Sequence, residues 1–332
     1  MSDRDHGSFP NSGGPSSVLL KNAAGYGSGL SVAKVAYKGW PNCYRVSNDT
    51  VELIVTGDVG PRIIRYGFLG GQNLFKEFAG QLGKSGEAEW QARGGHRLWI
   101  SPEDRVKTYE PDNGSVTIRV LDDGVEATGP VGPLTELEKR IAVKLAATGT
   151  GVEVTHEIRN AGKAPYELAP WALTMLAQGG TGIHGFPPRG THPDDLEAGN
   201  PLVMWPYTDF TDKRWGLLSK YLVLHQDPEN PAGQKLGSYN RNTWAAYLLR
   251  GELYVKRVKA DRPVSAYPDF GCSFETFTNG DFLEQETLGA LVRLDAGRTV
   301  VHTEQWSLYR NVRVNDWTNA ELDRVVGPLV RA

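Results

Sequence analysis

From about residue 31 onward, apolar and polar residues alternate with a period of two. Val51, Leu53 and Val55 share one parity, and Glu52, Ile54 and Thr56 the other; this is the pattern of a half-buried strand. The turn Gly57-Asp58-Val59-Gly60-Pro61 leads into another strand over 62–68. Val116, Ile118 and Val120 alternate ahead of an Asp123-Gly124 hairpin turn. Ile141, Val143 and Leu145 pass through Thr148-Gly149-Thr150-Gly151 into Val152, Val154, His156 and Ile158. Further strands are predicted over 253–258, 272–278, 282–288 and 299–308. Helical periodicity is scarce, but Thr318-Asn319-Ala320-Glu321 has capping-box spacing and predicts a short C-terminal helix. Strands without regular intervening helices exclude a doubly wound α/β fold, and no repeat marks a propeller. The prediction is all-β: one large antiparallel sandwich over 31–332. Residues 1–30, rich in Gly, Ser, Pro and Asn, read as a flexible tail.

One segment breaks the rhythm. Residues 179–215 carry Gly, Pro, His and five large aromatics, among them Trp205. Such a stretch reads as a long ordered loop, and long ordered loops are usually functional.

Composition narrows the function classes. Lys and Arg number 36 against 39 Asp and Glu, for a net charge of -3. That balance, without any basic run, argues against nucleic acid. No apolar stretch is long enough for a membrane span and no secretion signal is evident, so the expected location is cytoplasmic. Two cysteines, Cys43 and Cys272, without CxxC spacing read as buried free thiols. No metal-ligand spacing or phosphate loop appears, so no metal and no cofactor is expected. The load of 9 Trp and 13 Tyr fits a large core or platforms for sugar rings. The oligomeric state is not legible.

Several constellations could carry chemistry. Gly94-Gly95-His96-Arg97-Leu98-Trp99 offers glycines for close backbone approach and a guanidinium fork for vicinal hydroxyls, with His96 and Trp99 beside it. Arg97 paired with Glu103 is the structural alternative. In the strand over 282–288, Glu284 and Glu286 share a face with Phe282 and Leu288. Two carboxylates on an apolar face are either paired with cations or used as an acid/base pair. Lys256, between Tyr254 and Val258, calls for a charge partner, one of these glutamates or none at an edge. Tyr267-Pro268-Asp269 reads as a turn, with Asp269 as its cap or a ligand contact and Glu275 on the strand beyond. His156 lies on the apolar parity of its strand, as a core histidine does. His184 and His192 fall in the long segment, within reach of a ligand. Arg97, Glu286 and at least one of Lys256 and Glu275 are expected to meet in one groove.

Taken together, these stretches resemble a known family. Val51–Phe75 is similar to the opening strands of aldose 1-epimerases, and Glu286-Thr287 falls on their catalytic Glu-Thr pair. GGHRLWISPE at 94–103, LAPWALTML at 168–176, MWPYTD at 204–209, YPDFGCSFE at 267–275 and FLEQETLGAL at 282–291 resemble a bacterial branch of the galactose-mutarotase-like superfamily. The resemblance implies a β-supersandwich with its ligand groove on a concave sheet. It implies Glu286 as base, Arg97 and His96 orienting hydroxyls, and a sugar or oligosaccharide ligand, with Trp171, Trp205, Lys256, Asp269 and Glu275 lining the groove. The sequence departs from the pattern at Trp171, which stands where the family has its acid histidine; an indole N–H cannot deliver a proton at neutral pH. His184, His156 and Lys256 are the candidate replacements. A non-catalytic sugar-binding protein, and a glycoside hydrolase or lyase using paired carboxylates, remain as alternatives.

Overall fold

The computed structural model describes residues 29–331, so the predicted tail lies almost wholly outside the described residues. The strands run β1 (Ser31–Tyr37), β2 (Trp40–Ser47), β3 (Val51–Val55), β4 (Arg62–Phe68), β5 (His96–Ser101), β6 (Thr117–Val120), β7 (Gly124–Thr128) and β8 (Leu137–Leu145). They continue with β9 (Val152–Asn160), β10 (Tyr166–Leu176), β11 (Thr181–Gly185), β12 (Leu202–Met204), β13 (Trp215–Leu217), β14 (Tyr221–His225) and β15 (Gln234–Ser238). The last are β16 (Asn242–Leu249), β17 (Glu252–Lys259), β18 (Phe274–Thr278), β19 (Leu283–Leu288), β20 (Val292–Leu294) and β21 (Thr299–Tyr309). One sheet has the order β1-β2-β3-β4-β5-β10-β19-β18-β15-β12, with β20 beside β10. The other is β13-β14-β11-β16-β17-β21-β9-β8-β7-β6. All pairings are antiparallel.

Strand parity survives translation into burial. β9 alternates buried and half-buried residues along its whole length, as a strand with one core face must. The hairpin at 121–123 joins β6 to β7, and Gly124 is required there because a Cβ would lie 1.7 Å from Val143 O. Between the sheets, Phe75, Tyr254 and Trp306 pack edge to face, with Phe75 and Trp306 centroids 5.7 Å apart at 90°, and Tyr66 meets Tyr254 edge-on. At the C-terminus the hydroxyl of Thr318 accepts from Glu321 N and caps the helix Asn319–Val325. The Glu321 carboxylate does not return to Thr318; it pairs with Arg324. A second short helix, Gly327–Arg331, follows.

The segment 179–215 is not one loop. It contains β11 and β12 and runs into the first residue of β13, and β11 is a central strand between β14 and β16. Gly182 and Gly185 hid this strand from a reading based on side-chain alternation, because glycine gives no apolar signal.

The interior also holds a charged layer. Lys256 Nζ lies 2.8 Å from Glu304 Oε1, both wholly buried. The ammonium also reaches Thr174 Oγ1 at 3.1 Å and the carbonyl of Gln285 at 3.1 Å. His156 Nδ1 lies 2.9 Å from the carbonyl of His302, so that nitrogen carries the hydrogen. Burial lowers the pKa of both His96 and His156, leaving them neutral. His156 Nε2 therefore accepts from His96 Nε2, at 2.6 Å, and His96 Nδ1 accepts from the Thr174 hydroxyl at 2.8 Å. Burial opposes the charge of Glu304, and the Lys256 ammonium outweighs it, holding this carboxyl well below its usual range. The chain Lys256–Thr174–His96–His156–His302 thus has one consistent direction of donation.

Glu304→Gln leaves the Lys256 ammonium buried without a counter-charge. It is expected to lose roughly 3–5 kcal/mol of stability in a urea titration; a loss below about 1 kcal/mol, the range of surface pairs, would contradict the reading of this pair as structural.

Candidate functional site

Strand register decides which residues can meet. Cα partners across β5, β10 and β19 are Arg97–Leu173–Glu286, and Glu286 in turn faces Glu275 on β18. Neighbouring rows put Trp99 beside Trp171 and Leu288, and Met175 beside Glu284 and Phe277. Side chains alternate along each strand, so Arg97, Trp99, Trp171, Glu275, Glu284 and Glu286 all lie on the face turned away from the second sheet. Lys235, opposite Phe277 on β15, joins them.

The charges on this face are close and nearly sealed. Lys235 Nζ is 2.8 Å from Glu275 Oε2 and 3.1 Å from Glu286 Oε2. The Trp171 indole N–H donates to the same Glu286 oxygen at 2.7 Å. Glu286 Oε2 is therefore an acceptor twice over, while its Oε1 has no partner, and Glu275 Oε1 has none either. Arg97 Nη2 stands 3.7 Å from Glu284 Oε1, and its guanidinium lies 4.2 Å over the Trp99 ring and 5.1 Å over Trp90. The Lys235 ammonium sits 4.7 Å from both the Trp171 and Trp205 rings. Half-buried Phe78, Trp90, Tyr109 and Phe282 pack against the apolar side chains of this face, and Phe277 lies against Phe282. Glu286 and Glu275 are fully buried, and Glu284 retains 8% exposure.

Two cations against three carboxyls in little water force protons onto carboxyls. Burial, then the charge of Glu286, push Glu284 up to about 8, against the pull of Arg97. Burial and Glu286 likewise raise Glu275 well above the carboxylate range, despite Lys235. Burial alone would lower Lys235, but Glu275 and Glu286 more than reverse it, so its ammonium persists.

The remaining expected site residues lie elsewhere. Asp269 is at one end of the face, where it accepts from Ser101 Oγ at 3.1 Å. His96 and Lys256 point between the sheets into the charged layer, and the partner of Lys256 is Glu304, not Glu284 or Glu286. His184 is in β11, 1% exposed, stacked on Phe274 at 4.0 Å, with its two nitrogens engaged by Trp244 O and Ser238 Oγ. His184, His156 and Lys256 are thus all off the face of Glu286, because their strand parity turns them inward. The nearest carboxylate of Arg97 is Glu284; Glu103 takes the Tyr109 hydroxyl at 2.5 Å. Gly94 and Gly95, at φ of 89° and 72°, serve chain packing: a Cβ would lie 1.9 Å from Lys76 O at the first and 2.4 Å from Ile63 O at the second. Cys43 and Cys272 are buried free thiols. Lys235, Trp90 and Tyr109 escaped the sequence reading. The only signal was parity, Lys235 standing two places from Gly237, and it means nothing until β15 is paired with β18.

His96, His156 and Glu304 bring one ligand atom each within 4.8 Å of one another, from three different strands. The Lys256 ammonium at Glu304 already supplies this cluster's positive charge. Among the described residues no helix is long and apolar enough to cross a membrane.

The architecture has relatives among solved structures. A galactose mutarotase-like protein from Lactobacillus casei superposes with a TM-score of 0.51, at 10% identity over 81% of this chain and 100% of that one. This is the galactose-mutarotase-like fold. The Slr1438 protein of Synechocystis aligns with a TM-score of 0.50, at 11% identity over 84% of this chain and 99% of its own. A Klebsiella pneumoniae protein proposed to be an aldose 1-epimerase gives 0.52, at 9% identity over 90% and 86%. No protein-family model matches the sequence, and no curated protein does. The mutarotase-like fold accounts for the supersandwich and its short C-terminal helices.

In a carbon-detected NMR titration, one side-chain carboxyl is expected to change state near pH 8 and to vanish in Glu284→Gln. The folded state holds this proton more tightly than the unfolded chain. Its contribution to stability is therefore complete below the ordinary value of 4.5 and is lost as pH rises toward about 8. A Glu284 midpoint near 4.5 would refute the charge bookkeeping of the site.

Proposed function

We propose that this chain is a carbohydrate-active enzyme of the aldose-1-epimerase type, with Glu286 as base and Glu284 as acid. The observation that carries the reading is the free Oε1 of Glu286, fully buried, on a carboxylate whose other oxygen is held by Lys235 and Trp171. Oε1 is the place for a proton taken from an anomeric hydroxyl. As that O–H bond breaks, its electron pair forms the C1 carbonyl and the bond from C1 to the ring oxygen breaks. Glu284, protonated at neutral pH, gives its proton to the departing ring oxygen. Rotation about C1–C2 and the reverse steps yield the other anomer and restore both groups.

Glu284 fills the vacancy left by the missing histidine. It lies on the same strand face as Glu286, about 7 Å away between Cα atoms. Trp171 has a different task, since its N–H fixes the orientation of the base. Arg97, gripped between Trp90 and Trp99, has a free Nε for ligand hydroxyls. The cluster of half-buried aromatics suits a single sugar ring better than a long chain, since sugar faces stack on such surfaces. The mutarotase-like naming of the proteins sharing this fold supports a sugar ligand. We read residues 31–332 as one domain, and the two reduced, buried thiols fit a reducing compartment such as the cytoplasm.

Exchange-difference NMR on a panel of freshly dissolved aldoses tests the reading. The protein is expected to speed interconversion of the anomers of at least one sugar without changing its mass. Glu286→Gln should lower that rate by about 100-fold or more, and Glu284→Gln by a comparable factor with loss of the limb near pH 8. Binding without acceleration, or products of changed mass, would replace this reading with a sugar sensor or with a hydrolase or lyase.

A further inference from the structure

The outer face of the second sheet carries a cavity of about 1000 Å3, with both sheets between it and the carboxylate site. Its floor is the indole of Trp244 on β16. The indole lies flat because position 185 is glycine: a Cβ there would sit 2.5 Å from Trp244 Nε1. The ring is half-buried, and among the described residues no acceptor takes its N–H. Pro187 and Pro188 wall one side, and the helix Gly327–Arg331 the other.

The charge of the lining is one-sided. Arg189, Lys220, Arg257, Lys259 and Arg331 stand against a single acid, Asp323. Asp323 is already engaged, at 2.6 Å from Lys220 Nζ and 2.6 Å from the Tyr221 hydroxyl. Arg257 is held by the carbonyls of Leu329 and Val330. That leaves Arg189, Lys259 and Arg331 exposed, with no ion pair among the described residues. In a chain of net charge -3, concentrating cations around one concavity creates a local positive field that attracts anions. The volume is at the upper end of small-molecule sites, and an aromatic floor under a basic rim meets a ring and an anionic group at once.

We propose that this cavity is a second ligand site, for a small molecule with a ring that stacks on Trp244 and two or more phosphate or carboxylate charges held by Arg189, Lys259 and Arg331. The ring is a nucleobase or a sugar, and the same anionic anchor serves both.

Isothermal titration of the full chain at low salt tests it with ATP, fructose 1,6-bisphosphate, tripolyphosphate and adenosine as probes. At least one of the first two is expected to bind, more tightly than tripolyphosphate and far more tightly than adenosine. A tighter ATP complex assigns the floor to a base, and a tighter bisphosphate complex assigns it to a sugar ring. The double variant Arg189→Glu/Lys259→Glu should weaken that binding by about tenfold or more, and added salt should weaken it in the wild type. Trp244→Ala should reduce the affinity to that of tripolyphosphate. The charge reversals are on exposed side chains, so an unchanged melting temperature certifies the fold. Absence of binding by both ATP and the bisphosphate, or equal binding by the wild type and the double variant, overturns the proposal.

Discussion

Strand β19 has the sequence Leu-Glu-Gln-Glu-Thr-Leu and is buried on both faces. A central strand ordinarily buries apolar residues on both sides; here Gln285 and Thr287 turn inward and Glu284 and Glu286 outward. Every neighbouring element answers this constraint. Inward, Thr287 donates to Glu304 and meets His302 Nε2 at 2.8 Å, tying the strand to the layer around Lys256. Outward, two carboxylates stand beside a third, Glu275 on β18, and the cations come from one strand further out on each side, Arg97 on β5 and Lys235 on β15.

The two faces resolve their charges differently, and that difference separates structure from function. The inner layer is balanced: one ammonium, one carboxylate, neutral histidines, and a partner for each of these groups. The outer layer is not. It has more carboxyls than cations, oxygens without partners, and protons held where none would be in water. An arrangement that leaves buried acceptors unfilled costs stability. It persists where those acceptors are used on a ligand, and here it holds a proton on Glu284, the acid of the proposed pair.

Much of this was legible in the sequence, because period-2 parity is local. Glu284 and Glu286 on one face, His156 on a core face and the long run of strands all follow from spacing within single strands. Cross-sheet partners did not follow. Which cation meets Glu286 depends on β15 lying next to β18, a pairing between residues some forty positions apart with no local signature. Lys256 looked like the partner because it too is a lysine on an apolar strand, but its strand belongs to the other sheet. His184 looked available because the glycines around it disguised β11 as loop.

The central claim is that Glu286 is held for use rather than for stability, although it sits in a buried ion pair. Glu275 and Glu286 share the one Lys235 ammonium, and the charge of Glu286 helps keep the proton on Glu275; removing that charge lets Glu275 ionise against Lys235, so the ammonium keeps a partner. The melting temperature of Glu286→Gln tests this directly, with no need to know the ligand. The account predicts a value level with or above that of the wild type; a fall of many degrees, as expected for breaking a structural buried pair, would contradict it.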